Sequence, residues 1–470
     1  MTTPWDLSVN LKDVVLDFTW LSILLIAGAA LRRYVPFFRK YLVPNNIIGG
    51  FLGLLIGPQI LGLTGFSVER FGIYVYHLLA LVFIALGLRQ EKTRWGTGPI
   101  STGCGMLTIL LIQAFVGLII ALGLVYTLFP DLFPGLGLLV PLGFGMGPGL
   151  AYTMGHSWEH FGFEGGGVVG LTFAAIGFLI AYFGGILLIQ RGIRKRETTL
   201  ISDIDQISEE VRRGVLKEPP LPSAGLLTIA SEAMEPMAFQ VGMIGALYLI
   251  TYAITFGLAK LMISAGLVDF TPTLWSFHFL VAMLVSLGAR KALDLTGRSY
   301  TIDRGLMNRS SGLCMDYLVV ASIAGISLAV VWTYWLPLLL ISVLAGIGTY
   351  AWLRWIMWRA FDDYHFERFI SLFGDLTGTI NSGLVLVRVT DPEFDTTVAE
   401  DLVYGSGIAL MFGFPLLVVL NLPMNVFANT LQGYWITVGI IVAYFIFIIA
   451  LWRGIKFLRF RADKPVHLRT

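Results

Sequence analysis

Residues 373–395 read FGDLTGTINSGLVLVRVTDPEFD, a run of Gly, Thr, Ser, Asn and Asp set between long apolar stretches. Such a run interrupts a helix, because glycine leaves the backbone unconstrained and short polar side chains compete for its hydrogen bonds. The rest of the chain shows what setting the interruption sits in. Of 470 residues, 56% are hydrophobic and 13% charged, a balance far from that of a water-soluble globular domain. Windows of about 18 to 25 apolar residues recur, each long enough to cross a hydrocarbon core of roughly 30 Å. The chain therefore reads as an all-α polytopic membrane protein, since barrel strands would alternate polar and apolar over about ten residues. At membrane depth, non-helical backbone survives only when buried in protein or lining a wet cavity. The broken stretch thus marks a site.

Eleven spans are expected, near 14–31, 46–63, 72–88, 104–129, 166–190, 238–262, 273–289, 312–332, 335–358, 403–427 and 434–452. Two further segments, 135–158 and 369–390, are too glycine-rich for plain spanning helices. They read as re-entrant hairpins, with broken helices that cross as the other possibility. In this layout, loops on one side hold 28 of the 32 Lys and Arg, the others being Lys12, Arg70, Lys260 and Arg388. The positive-inside rule makes that side cytoplasmic. It puts the N-terminus outside and the C-terminus inside the plasma membrane, or the inner membrane of a bacterium. The first span has no basic start or small-residue cleavage site and reads as a retained helix. Cys104 and Cys314 lie in or beside apolar runs without CxxC spacing, so no disulfide framework or metal cluster is indicated.

The layout repeats. Residues 1–190 hold five spans with a hairpin before the fifth, and residues 238–430 hold five more with a hairpin in the matching place. An odd number of spans inverts the second copy, the plan of many secondary transporters. Residues 431–470 add one transmembrane helix and a basic tail. The connector, 191–237, contains ISDIDQISEEVRRGVL, in which Ile201, Ile204, Ile207 and Val211 share one helical face. It is expected to form an amphipathic helix on the cytoplasmic side, as a tether along the membrane, or else as a lid or a docking surface.

Each break has its own chemistry. In the first, Gly143, Gly145, Gly147 and Gly149 alternate around Met146 and Pro148, which denies a regular helix and frees backbone groups. In the second, Thr377, Thr379, Asn381 and Ser382 can bind a small polar solute. Helices starting at such breaks point their N-terminal amides at an anion such as a carboxylate, while released carbonyls suit a hard monovalent cation such as sodium. Asp375 reads as a cation or proton site or as a structural ion-pair partner. Arg388 reads as a fork for a substrate carboxylate or as a partner of Asp391 at the cytoplasmic mouth.

Three stretches resemble the sodium/glutamate symporter family. GMGPG at Gly145 to Gly149, followed by WEHFGF, is similar to the family's first Gly-rich loop and its aromatic-Gly-Phe step. GTINSGLVLVR from Gly378 resembles the second loop, and YLVPNNIIGGFLGLLIG from Tyr41 resembles its Pro-x-x-x-x-Gly-Gly helix. The chain departs from the pattern at Met146 and Pro148, which stand for His and Thr. It departs again at Asp375, near a family His, and at Arg388, where the family has a small or neutral residue. The resemblance implies sodium-coupled uptake of an acidic amino acid such as glutamate, or of a related carboxylate. It further implies an elevator-like movement and a homodimer.

The expected substrate-binding residues are Gly145, Gly147, Gly149, Thr377, Thr379, Asn381, Ser382 and Arg388. The expected ion-binding residues are Asp375, Thr377, Asn381 and Ser382. The partners are the anionic solute, sodium and membrane lipid, with no nucleic acid and no cofactor beyond the coupling ion. No HExxH, GxSxG, dinucleotide or P-loop pattern occurs, so no enzyme is expected. A receptor that binds a solute without moving it is the alternative. His156, His160, Glu159 and Glu164 read as solvated residues of an outer loop. His278 is expected to bond within the bundle, and Asn421 and Asn425 to line the cavity or bond a neighbouring helix.

Overall fold

Asn10 opens the first long helix by accepting a hydrogen bond from the Lys12 amide, and Arg32 and Arg33 close it beside its negative end. The computed structural model describes residues 10–89, 96–201, 209–214, 223–392 and 394–458, and all regular structure among them is helical. After α1 (Leu11–Tyr34) come α2 (Pro36–Lys40), α3 (Asn45–Ile56), α4 (Val68–Leu88) and α5 (Thr97–Thr127). A 3-10 turn at Pro134–Leu139 and a π turn at Leu142–Met146 lead into α6 (Pro148–Trp158). Helix α7 (Gly166–Leu179) runs through a π turn into α8 (Gly185–Arg194). The second half holds α9 (Glu209–Arg213), α10 (Pro236–Ser264), α11 (Thr271–Ser276), α12 (His278–Leu295), α13 (Arg304–Ala324) and α14 (Leu328–Thr333). It continues with α15 (Trp335–Ala360), α16 (His365–Thr377), α17 (Ile380–Thr390), α18 (Val398–Asn425) and α19 (Leu431–Gly454).

Eight helices among the described residues are long and apolar enough to cross a bilayer: α1, α4, α5, the α7–α8 rod, α10, α15, α18 and α19. The chain is thus a multi-pass membrane protein. Three expected spans look different. Residues 46–63 contain only the 12-residue α3, about 18 Å long at 1.5 Å per residue. Residues 273–289 fall on α11 and α12, which part at Phe277. Residues 312–332 begin too late and run too far, since α13 starts at Arg304 and ends before Gly325. The reason lies in its cap: Asp303 accepts from the Leu306 amide at 2.8 Å, so the polar turns that follow are helical although hydropathy reads them as loop.

The helices pack in two groups. In the first, α1 packs on α3, α3 on α13, α13 on α4, α4 on α12 and α12 on α10. The second is built around α5, which touches α15, α18, α19 and the Pro134–Leu139 turn. There α16 packs on α15 and α17, α17 on α18, and α6 on α7. The groups meet where α6 touches α4, α11 and α13, and where α7 touches α13. They also meet where the Tyr41 ring reaches that of Phe183 at 4.7 Å. Of the amphipathic helix expected in the connector, Ile204 and Ile207 lie outside the described residues. The described part, α9, rests on α1 and α2 and pairs Glu209 with Arg39 at 3.3 Å.

Candidate functional site: two facing helix breaks

Both glycine-rich segments fold back on themselves. The first leaves Phe133 and returns to Phe163, and those two rings stack with centroids 4.6 Å apart. Its turning point is Gly147, at φ 88° and ψ 167°, a conformation open essentially to glycine alone. Pro148 follows as the first residue of α6, where its missing N–H breaks no helical bond.

The second segment folds back through α16, Gly378, Thr379 and α17. Its arms lie so close that a Cβ on Gly383 would stand 2.7 Å from the Ser371 carbonyl oxygen, and one on Gly374 would stand 3.0 Å from the Gly383 Cα. Its base is held by charge. The Arg368 guanidinium donates to Asp401 at 2.7 Å, to Asp363 at 3.0 Å and to Thr397 at 3.1 Å. The Glu367 carboxylate accepts from the Thr199 amide at 2.7 Å, tying the start of the connector to the same point.

The two breaks face each other. A Cβ on Gly147 would lie 3.7 Å from Thr379 Cγ2, and one on Gly145 would lie 3.2 Å from Leu376 Cδ2. Among the described residues, no side chain caps the N-terminus of α6 or of α17. The first-turn amides of both helices are therefore without intrahelical acceptors where the breaks approach. Gln113 of α5 clamps the second break: its Nε2 donates to the Leu376 carbonyl at 2.8 Å and to Thr349 Oγ1 at 2.9 Å. The Gln113 Oε1 atom is buried without a partner among the described residues.

The expected site residues divide. Thr379 is half-buried and Asn381 exposed at the tip, while Ser382 is fully buried with the Tyr182 phenol beside its hydroxyl. Asp375, in the last turn of α16, is 6% exposed and its carboxylate has no hydrogen-bond or ion-pair partner among the described residues. Thr379 faces Gly147 across the break, Asn381 and Ser382 follow it in the first turn of α17, and Asp375 lies against Gly383 of that helix. Gly145 is half-buried beside them.

Three others are placed differently. The Thr377 hydroxyl is buried and donates to the Phe373 carbonyl within its own helix at 2.6 Å. Gly149 is packed against Leu79, 2.7 Å from where its Cβ would be. Arg388 is exposed two turns from the tip, its guanidinium 5.5 Å from the Phe394 ring centroid. Asp391 instead accepts from Asp395 and Thr396.

Gln113 escaped the sequence reading. A lone amide inside the apolar run 104–129 is the signal that could have found it, since intramembrane polar groups are rarely idle. Among other polar residues, Asn421 accepts from Trp158 Nε1 at 2.8 Å and Asn425 bonds Thr273 at 2.9 Å, so both tie helices together. His278 has both ring nitrogens buried without a described hydrogen-bond partner, within rings of Tyr76, Tyr248 and Trp275. His156 pairs with Glu159 at 2.8 Å. Compared with protein-family models, curated proteins and solved structures, the chain matches none of them.

Proposed function

We propose that the chain is a secondary transporter that holds a small anionic solute where the two breaks meet. The observation that carries this reading is the approach of two helix N-termini, α6 and α17, that no described side chain caps, with the buried Asp375, which has no hydrogen-bond partner among the described residues, against α17. The amides suit a carboxylate, and Asp375 with freed carbonyls suits a cation that travels with it. We take the solute to be glutamate or a related carboxylate and the cation to be sodium, in keeping with the resemblance to sodium/glutamate symporters. Asn381 and Thr379 are the solute contacts, and Ser382 and Asp375 serve the ion.

The helix pairing supports an inverted-repeat reading with eleven passages. Contact of α3 with α13 is matched by contact of α12 with α4, while α4 touches α13 and α5 touches α15. Two copies related by a two-fold axis in the membrane plane produce such exchanged pairs. The second group, which holds both hairpins, is the part that would move against the first in an elevator mechanism, in a homodimer.

The test is uptake of labelled glutamate and small dicarboxylates into proteoliposomes, under an inward sodium gradient and with choline in its place. Asn381→Leu changes an exposed tip residue, so it is expected to leave the folded protein intact and to abolish sodium-dependent uptake. Uptake by that variant at the unmodified rate would remove the site, and binding without any uptake would favour a receptor.

A further inference from the structure

Helix α13 differs along its length in a way that its neighbour does not. Its outer half, Leu318 to Ala324, is buried at every residue. Its inner half is not: Arg304, Asn308, Gly312 and Asp316, four residues apart and so on one face, are all exposed, with Arg309 and Leu313 beside them. Helix α4, packed alongside, has no exposed residue from Phe71 to Leu88.

The depth of this face can be read from contacts. Arg89, just past the end of α4, donates to Asn308 at 2.9 Å, and Phe71 lies against Gly325, 3.0 Å from where its Cβ would be. The helices therefore run antiparallel. Asp316, midway between Asn308 and Gly325, is level with Leu79 and Ala80. Leu79 is the residue on which Gly149, just past the first break, is packed. The exposed polar face thus starts at one end of the bundle and stops at the depth of the breaks. Its last member, Asp316, accepts from Asn46 Nδ2 at 2.8 Å and has no described cationic partner. An ionisable group at that depth faces water or a partner rather than lipid, because hydrocarbon does not solvate charge.

We propose that the inner half of α13 lines a water-filled cleft that opens on the side of residues 296–303 and ends at the hairpin tips, with Asn46 and Asp316 as its innermost polar station. The site is then reached by a hydrated solute from that side, and closed from the other by the buried outer half of α13, a helix that packs on α6 and α7. This rests on the transporter reading for its purpose, but water access is measured independently of transport.

The test uses single cysteines in a background with Cys104→Ala and Cys314→Ala, reconstituted in liposomes and exposed to a membrane-impermeant thiol reagent from one face at a time. Gly312→Cys is the central variant, because no described residue lies within 4 Å of a Cβ there and folding is expected to be undisturbed. Asp316→Cys reports the end of the cleft. Leu295→Cys, 80% exposed at the end of α12, defines the accessible face, and Leu344→Cys and Ile347→Cys on the exposed apolar side of α15 are lipid controls. The expected result is labelling of Gly312→Cys and Asp316→Cys from the Leu295 face at least about tenfold faster than the lipid controls, since the thiolate is the reacting form and needs water. Labelling no faster than the controls, or only from the opposite face, overturns the cleft whatever the uptake assay gives. Fast labelling in protein that moves no solute keeps the cleft and discards the transporter.

Discussion

The two hairpins follow the same path with opposite chemistry. The first is closed at its base by the stacked rings of Phe133 and Phe163, with Tyr334 and Tyr434 edge-on at 5.9 and 6.4 Å, and it turns at Met146, Gly147 and Pro148. The second is closed by Arg368 with Asp363 and Asp401, and by Glu367 with Thr199, and it turns through Gly378 and Thr379 into a first helical turn that carries Asn381 and Ser382. Aromatic contact tolerates small rotations, whereas a buried guanidinium shared among fixed acceptors sets an angle. The first hairpin accordingly offers backbone and shape. The second holds the polar side chains at a fixed tilt against it.

The base of the second hairpin is where this contrast breaks most easily. Asp401→Ala leaves Arg368, 5% exposed, short of its closest carboxylate. Removing one member of a buried ion pair is expected to lower unfolding stability by about 3 kcal/mol. Denaturation in a mixed-micelle titration measures it, and a change near zero would mean that charge does not set the second hairpin.

A smaller effect is expected at the turn of the first. Among the described residues, Gly147→Ala meets only the Thr379 methyl at 3.7 Å, an ordinary contact, so its penalty comes from backbone at φ 88°. Residues forced into such glycine-only regions lose on the order of 1–3 kcal/mol. Because relief of that strain would move the tip, uptake is expected to fall along with melting temperature. If Gly147→Ala is as stable and as active as the parent, the first break does not depend on its geometry.

Much of this could be read from the residues alone, and the parts that could not have physical causes. Pro141, Gly147 and Gly378 place both breaks, because each disfavours regular helix whatever surrounds it, and Pro148 suits the first position of the helix that follows. The start of α13 was hidden, since RGLMNRSSG is polar enough to pass for a loop until Asp303 is seen capping it. Hydropathy measures the cost of lipid contact, and a face that meets water carries no such cost. The roles of Thr377 and Arg388 depended on rotation about a helix axis, which spacing from the tip does not specify. Gln113 acts on residues more than two hundred positions away, and no local pattern announces such a contact.

The finest test of the contrast exchanges one group on each tip. Thr379→Val keeps the methyl that faces Gly147 and removes only a hydroxyl from a half-buried position. Met146→Leu changes the opposite tip by a shape of similar volume. Neither should alter stability by more than about 0.5 kcal/mol, as for most substitutions outside a packed core. If solute is held by side chains of the second hairpin and only by backbone of the first, the two variants separate in binding. Thr379→Val is expected to weaken affinity up to about tenfold, the value of one hydrogen bond to the ligand. Met146→Leu should leave affinity unchanged. Titration of glutamate or a dicarboxylate, followed by thermal shift in sodium, measures both. Equal weakening by the two variants would place the solute against apolar surface at both tips and erase the division of labour between the hairpins.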